Sequence, residues 1–232
     1  WALISRKGLG RKEFVPKPNV TIAANAEKEG VKAKFSSLTR YETDNQAQEV
    51  LNTNQIRNPY RATITQVIHE EKKTAAPELF DLAGIQSFAN ASWKYTNDKT
   101  LEIVQSLYDK QLVTYPRTEE TKISEEEFNL IVKDAPALER LLALNASLIN
   151  TVPRKKYVGA YKAHSALIPT AQHPNLAELS DEQRNIYRAI ATRTLMMMVA
   201  DYSYSHTEVK IMAGELELKV TGNIPTDQGW KG

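Results

Sequence analysis

Tyr115, Pro116 and Arg117 stand in the run Leu107-Tyr108-Asp109-Lys110-Gln111-Leu112-Val113-Thr114-Tyr115-Pro116-Arg117-Thr118. Proline disfavours helix at the residue before it, so Tyr115 is expected on a stiff, extended connector beyond a helix that ends near Lys110. Arg117 follows two residues on, which along an extended chain is the same face. A phenol ionises near pH 10 and is a poor nucleophile unaided. A guanidinium beside a phenol favours the phenolate and holds a phosphate oxygen with two parallel hydrogen bonds. Those are parts for covalent phosphoryl transfer. Taken alone, however, these residues suit a packed tyrosine beside a surface arginine better.

A second segment, Lys162-Ala163-His164-Ser165-Ala166-Leu167-Ile168-Pro169-Thr170, puts His164 49 residues after Tyr115. Together the two segments resemble the type IA DNA topoisomerases, and the topoisomerase III branch most. The family's active-site tyrosine sits in a stretch like LYEKGLITYPRTDS, matched here from Leu107 to Thr118. Its downstream HxAIxPT stretch is matched by His164 to Thr170, with Leu167 for Ile. Phe80 to Asn90 resembles the family's L..LQ..AN helix, and Lys99-Thr100-Leu101 its KTL helix start. Phe14-Val15-Pro16-Lys17-Pro18 resembles its entry into a β domain, and Gly229-Trp230 the GW that closes that domain. The resemblance runs over residues 14–230. It departs at Glu119-Glu120, where an acid and a serine are expected. It departs again at Ser165, an acidic or second-histidine position, and at Lys162-Ala163, where an acid often precedes the histidine.

The resemblance implies a fragment of an ATP-independent enzyme that cuts one DNA strand, passes another through, and reseals. Tyr115 would join the 5′ phosphate, Arg117 would hold the scissile phosphate, and His164 would lie near it. Thr118 and Lys162 would serve DNA binding. Mg²⁺ would be held by a Glu and a D-x-D motif in a domain N-terminal to this chain. No D-x-D and no phosphate-binding P-loop occurs in the 232 residues, and no metal ligand is expected among them. Arg154-Lys155-Lys156-Tyr157 is a tight basic-aromatic cluster that suits either a grip on single-stranded DNA or a solvated loop. The expected partner is single-stranded DNA, and the isolated chain is expected to be monomeric and inactive. The alternative is a non-catalytic module that binds single-stranded DNA.

The elements that must position these residues follow from periodicity. Val20 to Ile22, Val31 to Phe35 and Arg61 to Ile68 read as strands, with a short helix over 43–51. From about 77 the apolar period becomes helical, with helices over 78–91, from a cap at Asp98, from a capping box at Ser124, from Pro136, and from a second capping box at Ser180 to about Val199. Near 202 the period returns to two, with a turn at Ala213-Gly214. The expected fold is α+β and multidomain. Residues 1–14 end a preceding helical segment. A helical domain over 77–201 carries the tyrosine and is inserted into an antiparallel β domain split between 15–76 and 202–232. The resemblance makes that β domain part of an arch around the passing strand.

Composition narrows the classes further. Hydrophobic residues are 41% and charged residues 25%, an ordinary globular balance. The absence of cysteine excludes disulfides, Cys-based zinc sites and a thiol nucleophile. No apolar run approaches the roughly 18 residues of a membrane helix. The net charge is +2, but residues 1–40 hold nine Lys/Arg against three acids and residues 151–200 seven against three, flanking an acidic middle. The chain begins with Trp1 and carries no signal-peptide pattern, so it is read as an excised piece of a larger cytoplasmic protein.

Overall fold

The computed structural model describes residues 19–145 and 147–232. The segment 1–14 and the Phe14–Pro18 match lie outside them. Contacts divide the chain into two compact units, one formed up to Lys72 and by Tyr204–Ile224, the other by Lys73–Ser203 and Pro225–Gly232.

In the first unit, β1 (Ala23–Lys28) and β2 (Val31–Ser37) form an antiparallel hairpin from Ala23↔Ser36 to Lys28↔Val31. Glu29 and Gly30 both have positive φ, the backbone that a tight two-residue hairpin turn requires. The hairpin joins β3 (Thr63–Thr74), β4 (Tyr202–Ala213) and β5 (Leu216–Asp227) in a five-stranded sheet of order β1-β2-β5-β4-β3. The strand expected at Val20–Ile22 begins at Ala23 instead, where pairing to β2 fixes the register. β3 runs six residues past Ile68. Phe35, Ile211, Leu216 and Leu218 bury one face of the sheet with Val50 and Leu51 of α1 (Asp44–Thr53).

The second unit holds four helices among the described residues. α2 (Leu82–Trp93) is capped by Asp81, whose carboxylate accepts from Gly84 N at 2.6 Å. α3 (Asn97–Asp109) is capped by Thr96, not by Asp98. Thr96 has the extended backbone of a cap, and Asp98 sits in the first turn, where a carboxylate suits the positive end of the helix dipole. Both expected capping boxes form, at Ser124 for α4 (Glu125–Leu142) and at Ser180 for α5 (Asp181–Met196). Pro136 does not open a new helix; it lies inside α4. Phe128, Ile131, Ala135, Leu138 and Leu142 stay in phase across it, and burying that stripe outweighs the one backbone bond a proline removes. α3 packs against α2 and α5, and α4 against α5, around Val104, Leu107, Ile186 and Ile190.

The basic cluster is used inside this unit. Arg154 pairs with Asp201 at 2.7 Å and donates to Met197 O. Lys156 Nζ donates to Ala76 O at 2.5 Å, and Tyr157 Oη to the same carbonyl at 2.7 Å. Tyr157 is 1% exposed and offers no face to a base. Of the three cations, only Lys155 is exposed. Residues 225–232 return to the same unit. Trp230 Nε1 donates to Thr74 O at 2.8 Å, and Trp230 N to Ala200 O. Gly229 has φ +46°, and a Cβ there would stand 2.5 Å from Ala200 O, so only glycine fits.

Candidate active site around Tyr115

The site begins where α3 stops. Lys110 caps the helix, and Gln111 takes φ +59°. Gln111 N donates to Tyr108 O and Leu112 N to Leu107 O, which reverses the chain and buries Leu112 and Val113. The second segment lies alongside. Val113 bridges Pro169 antiparallel, Thr114 N donates to Ile168 O at 3.0 Å, and Thr170 N to Leu112 O at 3.1 Å. On its other side Leu167 N donates to Phe80 O at 2.7 Å, and Ala166 N to Lys122 O at 2.9 Å. Phe80 is held by Phe88 and by the Arg193 guanidinium 4.0 Å over its ring. Burial pushes the ionisation of Arg193 below its ordinary value.

These pairings bring the two sequence segments together. The rings of Tyr115 and His164 lie 4.3 Å apart at 37°, a tilted stack. Tyr108 meets the Tyr115 ring edge-on at 5.7 Å and 82°. Tyr108, in the last turn of α3, is 39% exposed and belongs to the site. Tyr115 is half-buried. Its hydroxyl and the His164 ring nitrogens have no hydrogen-bond partner among the described residues. Arg117, Lys162 and His164 are exposed, and neither cation has an ion-pair partner among the described residues. The chain bends at Pro116-Arg117, so strand alternation is not what positions Arg117. Thr118 is 4% exposed; its hydroxyl reaches His164 O at 3.4 Å and accepts from Glu120 N at 3.1 Å. Ser165 is buried, Glu119 exposed and Glu120 half-buried. No group of three His, Asp or Glu side chains able to hold a metal ion occurs among the described residues. The pairing therefore brings a phenol and an imidazole together, with the exposed Arg117 and Lys162 each two residues away in sequence from one of them.

A family model described as DNA topoisomerase matches residues 2–232. The chain belongs to the type IA DNA topoisomerase family. It is 26% identical to DNA topoisomerase 3 of Bacillus subtilis (strain 168), over 99% of this chain and 32% of that protein. It is 30% identical to DNA topoisomerase 3 of Bacillus cereus (strain ATCC 14579), over 73% of this chain and 24% of that one. DNA topoisomerase 1 of Pyrococcus horikoshii is 28% identical over 94% of the chain and 32% of its own length. The chain thus spans about a quarter to a third of the topoisomerases it matches. Among solved structures, full-length topoisomerase I from Thermotoga maritima matches with a TM-score of 0.65 at 21% identity, over 99% of this chain and 38% of that one. That match shows the α+β fold.

Proposed function

We propose that this chain is the tyrosine-bearing part of a topoisomerase that cuts and rejoins one DNA strand through a 5′-phosphotyrosine. The observation that carries the reading is the stack of His164 on Tyr115, with Arg117 and Lys162 exposed beside it in sequence and free of ion pairs. The Tyr115 oxygen attacks phosphorus, and the phenol proton leaves to solvent. An O–P bond forms to tyrosine and the P–O3′ bond breaks. The electron pair departs on the 3′ oxygen, which takes a proton from solvent. Attack by the 3′ hydroxyl reverses each step. One phosphodiester replaces another, so no nucleotide triphosphate is consumed. Arg117 and Lys162 hold the non-bridging oxygens where charge builds. His164 offers a ring N–H toward the same phosphate. Among the described residues no group of three His, Asp or Glu side chains fits a Mg²⁺ site. The β unit serves as part of the arch around the passing strand, with sequence-independent contacts to the DNA backbone.

The test is a labelled oligonucleotide trapped on the full gene product under denaturing conditions. Tyr115→Phe removes a hydroxyl with no partner among the described residues, so stability and DNA affinity should hold while the adduct vanishes. Arg117→Lys keeps charge but loses the forked geometry and should slow cleavage about 10- to 100-fold. A Phe variant that still traps label defeats the reading. The 232-residue chain alone should bind single-stranded DNA in a salt-sensitive way, as a monomer, without relaxing supercoils. Binding with no adduct even from the full product would favour the non-catalytic module.

A further inference from the structure

Thr114 occupies an unusual place in the seam. At every second position of a regular antiparallel pair, facing residues exchange two N–H···O bonds, and Thr114 faces Ile168 at such a position. Thr114 and Ile168 exchange only one in that way, from Thr114 N to Ile168 O at 3.0 Å. Ile168 N donates instead to the Thr114 hydroxyl, at 3.1 Å. The same hydroxyl donates to Ala166 O at 2.9 Å. A side-chain oxygen has replaced the backbone carbonyl of Thr114. The main chain is thereby released from the ladder one residue before Tyr115, while its side chain stays tied on both sides. Four residues on, the Thr118 hydroxyl reaches His164 O at 3.4 Å. The two threonines bracket the tyrosine and both are anchored on the segment that begins at the histidine.

From this geometry we infer that Thr114 is a positioning residue for the Tyr115–His164 pair. Its hydroxyl lets the backbone leave the ladder and sets the phenol against the imidazole 4.3 Å away. Arg117, on the exposed side of the bend, plays no part in that setting. The inference rests on the proposed role of Tyr115 for its catalytic meaning, but not for its geometry. Valine matches threonine in shape and lacks the hydroxyl; serine keeps the hydroxyl and loses a methyl.

Two measurements on the same variants separate the two ideas. In the 232-residue chain, proton NMR reads the ring-current shift that the stacked phenol imposes on the His164 ring protons, with Tyr115→Leu giving the unshifted reference. Thr114→Val should lose at least half of that shift and Thr114→Ser should keep it. In the full gene product, the Val variant should form the trapped adduct about 10- to 100-fold more slowly with DNA affinity unchanged, and Ser should restore the rate. A folded Val variant with the full shift and full rate overturns the inference, as does a folded Ser variant that has lost the shift. If Val does not fold, the Ile168 amide in the unsubstituted chain decides. It should exchange at least tenfold more slowly than the amides of exposed loops, and fast exchange overturns the inference. If no adduct forms on any variant while the shift follows the hydroxyl, the role of Tyr115 fails and the positioning stands.

Discussion

Tyr187 in α5 is fully buried, yet its hydroxyl has no hydrogen-bond partner among the described residues. Burial, and secondarily the negative charge of Asp134, push its ionisation well above the ordinary value near 10. The raised value sets the sign of the pH dependence. Below about pH 10 the phenol is neutral in both folded and unfolded chains, and its contribution to stability is fully present. As the pH rises further the unfolded chain releases the proton first, so stability falls. Tyr187→Phe removes both the orphan donor and that fall. Urea unfolding should show the variant about 1 kcal/mol more stable at pH 7, with the gap widening toward about pH 11. A variant weaker at pH 7 would mean that the hydroxyl does have a partner.

At this scale the sequence told unevenly. Tyr115 and His164 were legible through two ordered motifs, and the structure brings their rings together. The partners of Arg154 and Lys156 were not legible, because a run of cations does not reveal that Asp201 and the carbonyl of Ala76 wait 47 and 80 residues away to accept them. Thr114 gave no signal, since its role exists only once Ile168 lies opposite.

Among the elements, the end of α3 shows what a local pattern reads and omits. Pro116 marked the connector, but the reversal is made five residues earlier, at Gln111. A side chain in the left-handed region costs about 1 kcal/mol relative to glycine, partly offset by glycine's looser unfolded state. The resembling family stretch carries glycine at this place. Gln111→Gly should therefore raise stability by about 0.5–1 kcal/mol, measured by urea midpoint, and leave the Tyr115–His164 stack intact. A loss of stability would show that the exposed Gln111 side chain makes a contact of its own. Pro136 teaches the opposite lesson. The residue type announced a helix start, and the unbroken apolar stripe of α4 overrode it.

For the whole chain, changes of period near 77 and 202 fall close to the unit boundaries at Lys73 and Ser203. The last crossing was not legible. Strand alternation runs on through β5 to Asp227, while Pro225–Gly232 belongs with the helices. What draws it back is a side-chain fit. Trp230 packs on the main core and bonds to Thr74 O, and the Lys231 ammonium lies 3.7 Å over the Tyr202 ring. Gly229→Ala should cost about 1–3 kcal/mol in the helical unit, because its Cβ meets backbone that cannot move aside. Equal urea midpoints for the two proteins would show that the tail is an ornament.

That tail has a consequence on the ribosome. The helical unit takes its closing piece from residues made after most of the second β segment, so it cannot complete itself as it emerges. Twenty-six residues separate Ser203 from Gly229, and at about 5–20 residues per second the nascent unit waits roughly one to five seconds for its final contacts. During that interval the carbonyl of Thr74 waits for the indole N–H of Trp230. A chain released at residue 224 should be cut by protease within residues 73–203 faster than the 232-residue chain, and a synthetic peptide of residues 225–232 should slow the cutting.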